Sequence, residues 1–238
     1  MTERSTRDRF YANSALVMLG CVLLSFPFTY FGPALTGSQH FPLFYHIHGA
    51  AFFAWIGLYA WQTQLVAGGR TARHREFGLA GIGLSALMVP LAIIMAIAAI
   101  RRRMAAGDAH PFDVTLYNIV DITLFSAMMI AAIASVTRHP DWHRRFMFAA
   151  ALCLVGPAIS RWMNPLPQVF PIWDMAPNIL ADLFLIALAV HDRRKLGRIH
   201  PATWWAVAVL VPIHLAEPWL ASSAAWRAVA PGLLTLMN

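Results

Sequence analysis

Seven long apolar runs, separated by short stretches of charged residues, Gly and Pro, dominate this chain. They cover residues 11–32, 43–67, 77–100, 114–136, 146–163, 178–190 and 202–220. A membrane-crossing helix needs about 20 mostly apolar residues. Turn residues such as Gly68-Gly69 are costly inside lipid, so the breaks between runs mark loops. The pattern predicts an all-α bundle of seven transmembrane helices.

The composition supports a membrane protein. Of the 238 residues, 59% are hydrophobic and 12% are charged, and the mean hydropathy is +0.58. Soluble domains have about 45–50% apolar and about 25% charged residues. This excludes a soluble enzyme, a disordered chain and a nucleic-acid-binding module, despite a formal net charge of +7. We expect residues 1–238 to form a single membrane domain.

The basic residues predict how the helices are oriented. Lys and Arg concentrate on the cytoplasmic side of membrane proteins. If the N-terminus is cytoplasmic, the inner segments hold 13 of the 18 basic residues and the outer segments hold four. We therefore expect a cytoplasmic N-terminus. The tail, residues 221–238, is short and interrupted by Pro231, which predicts an interfacial helix.

A short motif recurs where three of the runs begin. His74-Arg75 precedes the third run, His143-Arg144 precedes the fifth, and His200 precedes the seventh. Parallel repeats are common in polytopic proteins. The bundle is therefore expected to consist of one helix followed by three hairpins.

Ionisable and polar residues concentrate in the outer third to half of the predicted bilayer. Five of the seven runs contribute to this layer, through His46, His48, Asp113, Tyr117, Asn118, Asp121, Arg161, Asn178, Asp182, His214 and Glu217. An ionisable group in hydrocarbon costs about 2.5–3.5 kcal/mol on insertion scales, so such groups are expected to face one another. We expect them to surround a polar cavity that opens to the extracytoplasmic side.

One interpretation of this layer is a metal site for Zn or Fe, since both bind imidazole and carboxylate. The candidate ligands are His46, His48 and His214. Three acids are candidates for a fourth ligand, an orienting group or a general base: Asp121, Asp182 and Glu217. Arg161 is expected to pair with an acid or bind an anionic substrate. His46 and His48 are about 200° apart on a regular helix, so both can bind one ion only if residues 45–49 partly unwind.

A second interpretation is haem b between helices, as in a transmembrane electron-transfer protein. His48 and His214 lie at similar predicted depth near the outer face. His74 and His143, with His200 as a further candidate, lie near the cytoplasmic face. Two such haems would carry electrons across the membrane.

A third interpretation is non-enzymatic: a transporter, a sensor or an assembly factor. In that case Arg161 would form a buried ion pair with Asp121 or Asp182. The two cysteines, Cys21 and Cys153, lie in apolar runs without a spacing motif and are expected to act as small hydrophobic residues. The absence of a hydrolase motif favours redox chemistry if the protein is an enzyme, with a metal- or haem-dependent oxidoreductase as the expected class.

Several motifs resemble those of uncharacterised bacterial polytopic inner-membrane proteins. They are the string from His46 to Gly81, Trp142-His143-Arg144-Arg145-Phe146-Met147 with Arg161, and His191-Asp192 leading to residues 197–201. The resemblance covers the second to seventh runs and implies paired helices in the bacterial inner membrane. The histidines at opposite membrane faces also resemble, more partially, di-haem b-type transmembrane cytochromes. Expected partners are the lipid bilayer and a small or lipid-soluble ligand.

Overall fold

The chain folds into helices and turns. The computed structural model describes residues 8–163, 166 and 173–237, and no strand occurs in these ranges. The α-helices are α1 (Phe10–Phe26), α2 (Gly32–Leu35), α3 (Leu43–Ala67), α4 (Thr71–Ala105), α5 (Asp113–Ser135), α6 (Pro140–Leu152), α7 (Val155–Met163), α8 (Ala176–Leu196), α9 (Pro201–Ala221) and α10 (Ala224–Val229). A π-helical turn, Pro27–Phe31, joins α1 to α2.

Within the part of the chain that the structure describes, six helical segments are long and apolar enough to cross a membrane, by length and composition. They are Phe10–Leu35, Thr71–Ala105, Asp113–Ser135, Pro140–Met163, Trp173–Leu196 and Pro201–Ala221. The chain is therefore an all-helical, multi-pass membrane protein, which confirms the coarse form of the predicted fold. Residues 1–7, which include Arg4 and Arg7 of the charge count, lie outside the described residues.

Helix α3 corresponds to the second predicted span but is not one of these six segments. It is 25 residues long and packs against α1 and α4. Its polar side chains, which include His46, His48, Gln62 and Gln64, lower its mean hydropathy. The count of seven spans therefore stays a prediction.

Several helices run past the apolar residues that predicted them. Helix α4 covers Thr71–Ala105 where the apolar run covers 77–100, and α8 covers Ala176–Leu196 where the run covers 178–190. Helix α8 ends at Gly197, whose φ of 72° lies in the left-handed region that favours glycine. An apolar run marks the part of a helix suited to lipid, whereas caps set its ends.

The fifth predicted span lies at the centre of the bundle and is broken. Helix α6 ends at Leu152 and α7 begins at Val155, and the amide of Leu154 donates to the carbonyl of Ala151 (3.2 Å). The three alanines Ala149-Ala150-Ala151 are fully buried. Small side chains allow close helix packing in membranes, and α1, α5, α8 and α9 all pack against α6.

A buried ion pair ties α6, α8 and α9 together at the end predicted to be cytoplasmic. Arg145 is 1% exposed and Asp192 is 0% exposed. The Arg145 guanidinium binds both carboxylate oxygens of Asp192 and donates to the Asp141 carbonyl (2.8 Å). Asp192 also accepts from the His200 amide (3.1 Å) and the Thr203 hydroxyl (2.5 Å). We call this set the inner ion pair.

Candidate functional site

Polar side chains of α5, α8 and α9 converge at the end of the bundle that is predicted to be extracytoplasmic. Asp182 contacts His214, Asn178 contacts Glu217, and Asp121 lines the same cavity as Asn178. We call Asp121, Asp182, His214 and Glu217 the outer cluster. The predicted polar layer therefore does come together from three of the five spans expected to contribute to it.

His214 is oriented within the outer cluster by Asp182. The histidine is 3% exposed, and its Nδ1 lies 2.9 Å from Asp182 Oδ1. An ionised carboxylate only accepts hydrogen bonds, so the ring proton belongs on Nδ1 and the Nε2 lone pair is free. Nε2 is buried and has no partner among the described residues. A carboxylate that holds one nitrogen while the other is free is the usual setting of a metal-binding histidine.

Glu217 repeats this arrangement three residues later on α9. The side chain is 0% exposed, and its Oε2 accepts a hydrogen bond from Asn178 Nδ2 (2.5 Å). Its Oε1 is buried and unpartnered within the described part of the chain. Gly156 of α7 leaves room for the Asn178 side chain, since a Cβ on Gly156 would lie 2.1 Å from Asn178 Oδ1.

Asp121, which is partly buried, supplies a third carboxylate. Its Oδ1 also lacks a hydrogen-bond partner in the described ranges. We call Asp121 Oδ1, His214 Nε2 and Glu217 Oε1 the open donors, because each has a lone pair that it could donate to a metal ion. Buried charges are normally paired or bound to metals, whereas neither Asp121 nor Glu217 belongs to an ion pair among those of the described residues. The cluster therefore needs protons or a bound cation to neutralise it.

A cavity of about 490 Å³ reaches this site. Its lining includes Asp121 and Asn178 at the cluster, and Asp113, Tyr117 and Asp174 nearer the loops. Arg103 also lines it and pairs with Asp108, whose pKa is lowered by the His110 amide and by that arginine. Asp113 is paired with Arg227, and the remaining acids of the lining, Asp121 and Asp174, favour a cationic occupant.

The other two predicted metal ligands lie on different faces of α3. His46 contacts the Tyr30 hydroxyl through Nδ1 and lies 3.1 Å from the Phe41 carbonyl through Nε2. His48 packs its ring 4.2 Å from the Phe52 ring and interacts electrostatically with Arg161. Because α3 is regularly helical here, the two rings diverge.

No group of three or more His, Cys, Asp or Glu side chains is already arranged to hold a metal ion within the described ranges. The structure thus does not bring His46, His48 and His214 together as a ligand set. Arg161 donates to the Pro157 carbonyl (3.0 Å) and lies over the Phe26 ring. The ion pair expected between Arg161 and Asp121 or Asp182 is not among the ion pairs of the described residues.

At the opposite end of the bundle, the structure brings together His74 and His143. Their ring centres are 6.3 Å apart. His143 Nδ1 lies 3.0 Å from the Ala132 carbonyl, and His74 Nδ1 is buried without a partner among the described residues. His200 instead caps α9 by accepting from the Ala202 amide (3.1 Å), and its ring lies 5.7 Å from Trp142.

The sequence does not reveal the roles of several buried residues. Arg145 and Asp192 form the inner ion pair. Asn178, expected only as a member of the polar layer, holds Glu217 in the space that Gly156 leaves. Tyr59 and Gln62 of α3 have buried polar atoms that no described residue satisfies. Their spacing of three predicts a shared helix face but does not identify what that face contacts.

Comparisons with known proteins give no relative to draw on. The sequence matches no family model, no curated protein and no solved structure. The functional conclusions below therefore rest on the geometry and the sequence pattern alone.

Proposed function

We propose that this multi-pass protein crosses the bacterial inner membrane seven times, with α3 as an additional span and the N-terminus in the cytoplasm. Helix α3, with 25 residues, is as long as several of the six apolar segments described above, and it packs against two of them, at α1 and α4. The excess of Lys and Arg on the predicted inner segments supports the orientation. The resemblance to uncharacterised inner-membrane proteins supports the location.

We further propose that the outer cluster binds a divalent transition metal ion, Zn or Fe. The observation that carries this proposal is that His214 and Glu217 each have one polar atom held in place and the other free. Asp182 orients His214, Asn178 orients Glu217, and Asp121 offers another oxygen. Nitrogen and oxygen donors of this kind suit both metals.

The proposed ligands are the three open donors, which revises the sequence-based set. Their side chains would have to move together on binding, because no group of three such side chains among the described residues could hold an ion as it stands. His214 is kept, and Glu217 and Asp121 become ligands. His46 is left out because both of its ring nitrogens are engaged. His48 also has an unpartnered Nδ1 among the described residues, and it is left out because its ring packs against Phe52 on α3 rather than within the outer cluster. Three protein ligands leave coordination positions free for a substrate. The cavity beside the site would admit a small or lipid-soluble ligand, and we expect redox chemistry on it.

Elemental analysis of detergent-purified protein tests this proposal. We expect Zn or Fe in equimolar amount with the chain, and its loss in His214→Ala and in Glu217→Gln. His46→Ala is the matched control, because both ring nitrogens of His46 are engaged elsewhere, and it should keep the metal. Size-exclusion profiles establish that each variant is folded. Metal retained by both cluster variants, or absent from the wild-type protein after loading, would overturn the proposal.

A haem site near the cytoplasmic face is a second candidate, favoured by the distance between the His74 and His143 rings. Two rings 6.3 Å apart can bind one metal between them, since metal–imidazole bonds are about 2.0–2.1 Å. A haem would give a Soret band that disappears in His143→Ala but persists in His200→Ala. A colourless protein without bound metal would instead favour a proton or ion pathway, which also needs buried carboxylates free of Lys and Arg.

A further inference from the structure

A second cavity, of about 570 Å³, lies between α3 and α4 at the end of the bundle that is predicted to be extracytoplasmic. Ligand cavities are typically about 300–1,000 Å³. Gln39 and His40, in the loop before α3, line this cavity and are exposed, so it opens at the surface. Among the described residues, its lining is entirely separate from that of the cavity at the outer cluster.

The wall that α4 contributes to this second cavity is apolar toward the membrane interior and cationic at its rim. Ile94, Ile97 and Ala98 form the apolar part. Arg101 follows them by seven, four and three residues, which places it on the same helix face. At a rise of about 1.5 Å per residue, Arg101 lies about 10 Å along the helix axis from Ile94. Phe44 of α3 adds an aromatic side chain to the opposite wall.

The two arginines at the rim, Arg101 and Arg102, are not neutralised by an acid of the described chain. Both are exposed, and neither belongs to an ion pair among those of the described residues. Asp108, the nearest acid in the chain, is paired with Arg103. The dipole of α4 favours cations in its last turn, which does not include Arg101. The rim therefore carries a positive charge that an anionic ligand could balance.

A hydrogen bond holds Arg102 in position at this rim. Its Nη1 donates to the Tyr45 hydroxyl (2.8 Å), which joins the α4 wall of the cavity to the α3 wall. A guanidinium has five N–H groups, and no other hydrogen bond from this side chain occurs within the described ranges. Arginine commonly binds phosphate through two parallel hydrogen bonds. The rim is therefore suited to a phosphate group.

We propose that this cavity binds one anionic phospholipid from the surrounding membrane, with its phosphate on Arg101 and Arg102 and an acyl chain along Ile94 and Ile97. Charge complementarity supports the assignment, since two arginines without an acid partner stand over an apolar wall. Basic pockets between transmembrane helices bind lipid headgroups. The apolar wall favours a lipid over a free phosphate ion, which has no apolar surface to bury there. Because the two cavities are separate, this proposal does not rest on the metal site.

Native mass spectrometry of the delipidated protein tests this proposal. The probes are phosphatidylglycerol, whose headgroup is anionic, and phosphatidylcholine with the same acyl chains, whose headgroup has no net charge. We expect one phosphatidylglycerol to bind in preference to phosphatidylcholine. Arg101→Gln and Arg102→Gln should each weaken its binding roughly fivefold, as for loss of one basic residue near an anionic lipid. Arg103→Gln is the matched control, because it removes the same charge from an arginine that Asp108 already pairs, and it should keep the preference.

Ala98→Phe tests the apolar wall separately. The new ring would fill space that Ala98 lines, so binding should fall although both arginines remain, and size-exclusion profiles establish that each variant is folded. Equal binding of the two lipids, or equal losses in Arg101→Gln and Arg103→Gln, would overturn a specific lipid site. Unchanged binding in Ala98→Phe would contradict the position of the acyl chain. Competition by glycerol phosphate at the same concentration as phosphatidylglycerol would identify a free phosphate compound as the occupant and overturn the lipid.

Discussion

The inner ion pair and the outer cluster are both buried polar groups in an apolar bundle, but they differ in how completely they are satisfied. Every side-chain polar atom of Arg145 and Asp192 has a hydrogen-bond partner. The outer cluster leaves three open donors. It also gathers three acids around one histidine, whereas the inner pair matches one acid with one arginine.

This difference separates a structural role from a binding role. A satisfied, charge-balanced network stabilises the helices that it joins, provided that both partners are present. An unsatisfied network costs stability, and a protein retains such a cost mainly where a ligand completes the network. Variants that remove a charged or ionisable group from the two regions should therefore have opposite effects on the stability of the metal-free protein.

The largest effect is expected from removing one partner of the inner ion pair. Arg145→Met leaves Asp192 charged and buried, and loss of one partner of such a pair typically costs 3–5 kcal/mol. Thermal unfolding in detergent micelles measures the change. The control is Arg144→Met next to it, because the Arg144–Asp141 pair is exposed and such pairs contribute about 0–1 kcal/mol. Equal effects of the two variants would contradict a structural role for the inner pair.

Gly156→Ala should weaken the outer cluster through Asn178. The new methyl group would displace the Asn178 amide that holds Glu217. We expect the metal affinity to fall roughly 10–100-fold, as for lost supporting contacts, and the stability to fall by about 1–3 kcal/mol from overpacking. Gly83→Ala in α4 is the control, since a Cβ at Gly83 meets nothing within 4 Å. Zinc titration that fails to separate these variants would argue against positioning by Asn178.

The sequence was sufficient to predict the helices and one face of the site. Apolar runs identified each long helix, because burial in lipid requires them. Asp113, Tyr117 and Asp121 are four residues apart, a spacing that places them on one face of a helix. All three line the cavity at the outer cluster. Helix ends were less predictable, since caps such as Gly197 act outside the apolar run.

The pairing of side chains across helices could not be predicted in the same way. His46 and His48 share a segment, but their partners depend on how α3 packs against α1 and α4. Arg145 and Asp192 are 47 residues apart. Each lies in a short basic stretch of the kind found at membrane interfaces, so the sequence alone does not pair them.

Asp121→Asn should stabilise the metal-free protein, in contrast with Asp192→Asn. Asparagine keeps the shape of the carboxyl group but cannot ionise, so it ends the unfavourable competition between two buried acids. Relief of such a functional cost is commonly about 0.5–2 kcal/mol, whereas Asp192→Asn should destabilise by breaking the inner pair. Unfolding of both variants after chelation measures the contrast. If Asp121→Asn is as destabilising as Asp192→Asn, the outer cluster is structural rather than a binding site.

The smallest effect is expected at the exposed margin of the inner ion pair, where Asp8 contacts His191 Nε2 (2.6 Å). Partial burial raises the pKa of Asp8, but the Phe10 amide and His191 outweigh it, so the pKa is lowered. A lowered pKa stabilises the fold above the ordinary value of about 3.9, and this contribution is lost as the pH falls through the folded-state pKa. Solvent screening limits it to a few tenths of a kcal/mol. Asp8→Asn should therefore lower the stability by that small amount near neutral pH and flatten the acidic limb of the stability–pH curve, so that the two proteins converge at low pH. A loss near neutral pH as large as that expected for Arg145→Met would mean that Asp8 supports Asp192 directly.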